Sequence, residues 1–293
     1  MPRAHHSQTP PAPPALPART GGRHELGQNF LVDTSVATAM ADLVRTAPPG
    51  PVLELGAGAG TLTRALVATG RPVTAVELDP RWVADLRRVF AGRSPAVRVV
   101  QADLLTVPEP PDGHQVVANV PFGITTPLLR RLLAQRRWQT ATLLVQWEVA
   151  RKRAAVGGTT MLTAAWWPWY TFRLVRRVPA TAFRPVPGVD AGLLVLARRA
   201  DPLVPAQERS GYQHLVRLAF TGPGRDLATG LGRRFPAGQL RAWLRDRGLP
   251  QQVLARDLTA EHWAELWRLR PDGATRGARG TRVGGATRTT GMS

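Results

Sequence analysis

"VLELGAGAG", Val52–Gly60, decides the fold. An apolar run whose one charge is Glu54 breaks into glycines at alternate positions, Gly56, Gly58 and Gly60. A helical pattern, "TLTRALVAT", begins at once. A buried strand that ends in a glycine turn and opens a helix is the first half of a β-α-β unit. Glycines at such a turn let the backbone approach a ligand closely and aim helix N-terminal amides at it. Alone the turn is a weak signal, because a strand-to-helix junction also wants small residues for packing.

The flanking sequence repeats the alternation. "RPVTAVELD" reads as a second strand, and "PRWVADLRRVF" as a helix with Pro80 at its first position and Asp79 as its cap. "VRVVQADLL" and "QVVANV" are a third and a fourth strand. "TTPLLRRLLAQ" is a helix opened by a Thr cap with Pro just inside, and "TATLLVQWEVARKRA" starts as a strand and turns helical. "YTFRLVRRV" and "GLLVLARR" are the last strands expected. Strands alternating with helices at this spacing predict an α/β fold with a mostly parallel, doubly wound sheet. From Asp201 the character changes: "ERSGYQHLVRLAF", "AGQLRAWLRDRG" and "TAEHWAELWRLR" are short amphipathic helices, which predict a small all-α C-terminal domain over 201–271.

The ends read differently. Residues 1–22 are Pro- and Ala-rich without an acid or an apolar core segment, so they are expected to be a disordered lead and not a signal peptide. Residues 272–293 are Gly, Thr and Arg and are expected to be a disordered tail. Cysteine is absent, which excludes disulfides and thiolate metal sites, and no His spacing suits a metal. No stretch approaches the apolar length of a membrane span. The formal charge is +19, and of the 39 basic residues all but Lys152 are arginine. The ends carry little of that surplus, so the body is basic and suits a polyphosphate partner.

Two acids and one tetrapeptide carry the chemistry. Glu77 closes the second strand about 20 residues beyond the glycine turn, where an acid can accept the ribose hydroxyls of an adenosine. That position serves NAD and S-adenosylmethionine alike. Asp103 closes the third strand and can take a hydrogen bond from an adenine amine, or simply form an Asx turn. "NVPF", Asn119–Phe122, ends the fourth strand at the carboxyl edge, where open α/β sheets bind ligands. Hydride transfer does not call for it; methylation of an exocyclic adenine amine does. Asn119 and a carbonyl of the Val120–Pro121 turn can accept both N–H groups, Pro121 fixes that turn, and Phe122 offers a face for the base. The bland alternative is a strand end with a capping Asn and a core Phe.

With "LGQNFL", "ELGAGAG", "VELDP", "QADLL", "NVPF" and "FRPVPGVDAGLLVL" in this order, residues 23 to about 200 resemble the ribosomal RNA adenine N6-methyltransferases. The resemblance implies a Rossmann-like class I methyltransferase domain over 23–200 and S-adenosylmethionine as cofactor. It implies that Gln28, Asn29 and Leu31 contact the methionine part, that Glu54, Gly56, Gly58 and Gly60 form the cofactor turn, and that Glu77 and Asp103 hold ribose and adenine. Asn119, Pro121 and Phe122 inherit the target-base site, with Asn119 also bordering the cofactor. Val120, Phe122 and the "FRPVPGVDAGLLVL" segment look more like the Erm-type branch, which modifies 23S RNA and confers macrolide, lincosamide and streptogramin B resistance. The alternatives are a KsgA-type small-subunit dimethyltransferase and a non-catalytic RNA-binding assembly factor. The expected partner is ribosomal RNA, with no membrane and no metal, and the chain is read as a cytoplasmic monomer. Arg130, Arg131, Arg136, Arg137, Arg151, Lys152 and Arg153, followed by Arg173, Arg176, Arg177 and Arg184, are expected to form an RNA-backbone track beside the site. "WWPWY", Trp166–Tyr170, is expected to pack in the core.

Overall fold

The computed structural model describes residues 29–92, 97–224, 226–236 and 238–271. The lead, Gln28 and the tail lie outside these. In chain order the elements are β1 (Phe30–Leu31), α1 (Thr34–Thr46), β2 (Val52–Leu55), α2 (Thr61–Val67), β3 (Val73–Glu77), α3 (Pro80–Phe90), β4 (Val97–Gln101) and β5 (His114–Asn119). Then come α4 (Thr125–Ala134), β6 (Trp138–Gln146), α5 (Trp147–Arg153), α6 (Met161–Trp166), β7 (Tyr170–Val178), β8 (Phe183–Arg184) and β9 (Ala191–Arg198). The chain continues as α7 (Arg209–Thr221), α8 (Leu227–Leu231), α9 (Gln239–Asp246) and α10 (Ala260–Leu269).

A seven-stranded sheet runs in the order β4-β3-β2-β5-β6-β9-β7. The first five strands are parallel, and β9 lies antiparallel between β6 and β7. Strand order reverses between β2 and β5, and such a switch point opens a crevice at the carboxyl edge. All four residues of β2 are buried, as expected of a strand covered on both faces. Val36, Met40 and Val44 of α1 pack with Leu66 of α2 on one face. On the other, Leu128, Leu129, Leu132 and Leu133 of α4 are buried, each worth about 2 kcal/mol, and so fix the helix that follows "NVPF".

Helix α1 adds to the predicted elements; the Asp33 carboxylate caps it by accepting from the Ser35 and Val36 amides. Asp79 caps α3 as predicted. The start of α4 differs from expectation. Ile124 is its N-cap residue without a side-chain bond, while Thr125 lies inside the helix and its Oγ1 donates back to the Phe122 carbonyl at 3.3 Å. A 3-10 turn over Phe122–Ile124 intervenes, so the chain needs no Thr cap there.

The C-terminal helices share a core with the sheet. Tyr212 is buried, donates to the Ala164 carbonyl at 2.8 Å and meets Trp169 edge-on at 5.4 Å. Of "WWPWY", Trp169 and Tyr170 are interior as predicted, whereas Trp166 and Trp167 are only half-buried at the core's margin. Among the described residues no helix is long and apolar enough to cross a membrane.

Candidate active site

The strand ends converge on one cavity at the carboxyl edge, lined by residues 29–31, Glu54, the glycine turn, Glu77, Asp103 and Asn119 to Phe122. Asn29, Leu31, Glu54, Gly56, Gly58, Glu77, Asp103, Asn119, Pro121 and Phe122 therefore come together as the sequence predicted. Gly60 is not among the lining residues. A Cβ there would come within 2.8 Å of Leu86 Cδ2, so this glycine lets α2 sit close to α3. Gly58 faces the cavity with φ +50°, and a Cβ would press on the Phe30 ring at 3.0 Å. Bare backbone at Gly58 is what allows Phe30 to lie over the turn, where it also packs on Trp82 at 5.3 Å.

The acids differ in how they are held. Glu77 is 4% exposed; its Oε2 accepts from the Gly58 amide at 2.7 Å, and its Oε1 from the Leu78 and Asp79 amides at 2.8 and 2.9 Å. A carboxylate has about four acceptor positions, so Glu77 keeps one, on Oε2, for a ligand hydroxyl. Asp103 forms the Asx turn, its Oδ1 accepting from the Leu105 amide at 2.8 Å, and it also lines the cavity.

Glu54 is 1% exposed and neither carboxylate oxygen has a hydrogen-bond partner. Burial, and secondarily the neighbouring Glu77 carboxylate, push its pKa up to about 8, with Thr63 pulling the other way. An orphaned buried acid on a cavity wall suits a ligand that brings positive charge. S-adenosylmethionine, with an adenosine for Glu77 and Asp103 and cationic groups for Glu54, fits these residues.

Across the cavity, Asn119 Nδ2 donates to the Asn29 carbonyl at 2.8 Å. That bond commits the amide nitrogen and leaves Oδ1 as the acceptor. The Pro121 carbonyl accepts from the Ile124 amide at 3.1 Å, which shapes the turn. Phe122 is half-buried and lines the cavity, so it is not the core residue of the bland reading. Sequence reasoning missed the apolar wall of Phe30, Leu78, Leu104 and Ile124. Leu78 carried a signal: a large apolar residue directly after a strand-end acid, 48% exposed, has no core to enter.

The expected basic track is only partly beside the site. Arg131 turns inward and donates to the Leu104 and Val107 carbonyls, bracing the loop that carries Asp103. Arg153 donates to Thr160 Oγ1 at 2.7 Å, and Arg177 pairs with Asp190 at 2.6 Å. Arg136 and Arg137 precede Trp138 at the amino edge of the sheet, because α4 carries the chain away from the cavity before β6 returns it. Arg130, Lys152 and Arg176 are exposed, and the latter two lie toward the cavity's edge.

Comparison with known proteins places this arrangement. The family described as ribosomal RNA adenine dimethylase matches residues 19–269. The mycinamicin-resistance protein MyrB of Micromonospora griseorubida is 58% identical over 258 residues, covering 88% of this chain and 82% of that protein. An rRNA adenine N-6-methyltransferase of Corynebacterium diphtheriae is 45% identical over 213 residues, covering 73% and 83%. Among solved structures, the 23S rRNA methyltransferase ErmE superposes with a TM-score of 0.77 at 36% identity, covering 82% of this chain and 99% of that one.

Proposed function

The chain belongs to the ribosomal RNA adenine dimethylase family, and on that premise we propose that it methylates N6 of an adenine in 23S RNA, with macrolide, lincosamide and streptogramin B resistance as the phenotype. It is an S-adenosylmethionine-dependent ribosomal RNA adenine methyltransferase. The 23S reading is supported by the likeness to a mycinamicin-resistance protein and to a 23S rRNA methyltransferase. We read the methyltransferase part as 23–200 and the helical part as 201–271, and the working form as a cytoplasmic monomer that needs no metal.

The observation that carries the mechanism is the meeting of "NVPF" with the acid-lined wall in one cavity. When bound, the cofactor supplies an electrophilic methyl group. Glu77 and Asp103 hold its adenosine part, and Asn29, Leu31 and the glycine turn its methionine part. An adenine amine is a poor nucleophile because its lone pair is delocalised into the ring. Asn119 Oδ1 accepts one of its N–H groups and a carbonyl of the Val120–Pro121 turn the other, holding the nitrogen pyramidal. Phe122 stacks on the base once it has left its helix or loop. No titrating base takes part in the attack; the methylated nitrogen loses its extra proton to water. Positioning and electrostatics do the work.

The test is methyl transfer from labelled S-adenosylmethionine to separated, unmodified 23S and 16S RNA, followed by nucleoside analysis. N6-methylated adenosine in 23S RNA is the expected result. Label confined to 16S RNA would move the protein to the small-subunit branch.

A further inference from the structure

A second cleft lies at the amino edge of the sheet, where residues of α7 meet Arg136, just before β6, and Arg198, the last residue of β9. It is lined by Arg136, Arg198, Arg209 and Arg217, with Gln207 and Gln213 among them and no acid in the lining. Arg209, Gln213 and Arg217 follow one another at helical spacing, so a single face of α7 presents them. None of the four arginines pairs with a carboxylate among the described residues. The nearby acids are engaged: Glu208 with Trp267 and Arg270, and Glu109 with the backbone amides of Arg136, Arg137 and Trp138.

Two of the guanidinium groups are set in place. Arg198 lies over the rings of Trp138 and Tyr170, at 5.3 and 4.9 Å, and donates to the Trp138 and Gln135 carbonyls. Arg209 lies over Trp166 and Trp169, each at 5.1 Å, and its buried Nε has no partner. Stacked arginines lose little further freedom when they bind, and their forked donors match phosphate oxygens. Four cations with no acid in the lining repel one another, which a folded protein tolerates where a polyanion is to be met. Gln207 and Gln213 add neutral donors and acceptors suited to phosphate and ribose hydroxyls.

Resting on the reading of the protein as a ribosomal RNA methyltransferase, we propose that this cleft is a second RNA-backbone site, which holds phosphates of the substrate far from the methylated adenine. Strand β6 separates the two edges by its nine residues, about 30 Å at about 3.3 Å each. An RNA that fills both sites therefore extends on the order of ten base pairs beyond its target loop. A short hairpin reaches the cavity alone.

The experiment is the double variant Arg136→Gln/Arg217→Gln, two exposed side chains that hold no bond in the fold among the described residues. Its binding is compared with that of the unaltered chain by fluorescence anisotropy over a salt series. Two 23S-derived RNAs share one substrate loop, with stems of roughly five and roughly twenty base pairs. On the long RNA, affinity should fall on the order of tenfold and the salt slope by about two, one for each phosphate no longer neutralised, with the short RNA unaffected. Unchanged affinity for the long RNA overturns the proposal and leaves an acidic protein as the occupant to be sought. Equal losses on both RNAs also overturn it, because the arginines would then act at the cavity. Methyl transfer, scored in the same samples, belongs to the functional reading: an unaltered chain that methylates no ribosomal RNA sinks that reading while the binding comparison still decides the cleft.

Discussion

Glu77 has both carboxylate oxygens held by backbone amides, whereas Asn119, facing it across the cavity, is held by one side-chain bond to the Asn29 carbonyl. The acid side is built before any ligand arrives; its geometry is a property of two turns that the sheet already fixes. The amide side is half-exposed and gains its acceptor role from a single anchor on the residue just before the strand that carries Phe30. A small cofactor can be met by a rigid wall, but a base drawn out of folded RNA needs a side that stays open to it.

That contrast can be broken at several points. Asn119→Ala should cut single-turnover methyl transfer by roughly 10²–10³-fold while calorimetric cofactor affinity falls far less, because the acceptor aimed at the reacting amine is gone. Turnover near that of the unaltered chain would end its proposed role. Glu77→Ala should act through the fold as well as the site. It strips three amides of their acceptor, at about 1–3 kcal/mol for each left buried, so denaturant stability and cofactor affinity should fall together. A drop in affinity with unchanged stability would mean that water takes the place of the carboxylate.

Phe122→Ala should lower turnover by roughly 10- to 100-fold through the absence of base stacking worth about 1–3 kcal/mol, with melting temperature little changed. A fall in stability of similar size would make it a packing residue after all. The smallest effect is a slope. A carboxyl whose pKa is raised in the folded state contributes stability below its ordinary value of 4.5 and loses it as pH rises through about 8. The free protein should therefore melt lower as pH climbs across that window, and Glu54→Gln should flatten the decline. Identical pH profiles for the two proteins would show that Glu54 is not held neutral.

The strand ends were legible because their chemistry is local. Glycines at alternate positions, an acid closing a strand and "NVPF" each state their place, and an α/β topology then gathers the ends without further instruction. What could not be read was set by neighbours distant in sequence. Arg136 and Arg137 stand close behind Asn119 in the chain, yet α4 carries the chain back toward the other edge of the sheet between them. Arg131 looked like its neighbours, but a helix face turns it onto the Leu104 and Val107 carbonyls. Gly60 shares a motif with Gly58 and serves the packing of α3 instead. Helix α1 had readable signals in Asp33 and the spacing of Val36, Met40 and Val44. The partial occupancy of Glu77 by amides depends on the conformation of two turns at once and leaves no trace in composition.

The contact of Tyr212 with Ala164 and Trp169 has a mechanical consequence. Because that tyrosine belongs to the same continuous core as β5 and α4, the C-terminal helices cannot be peeled off without opening the sheet's own interior. Cutting the chain near residue 200 would leave Trp169 and its neighbours facing water, so the two halves should melt as one body and neither should be exchangeable as a detachable part.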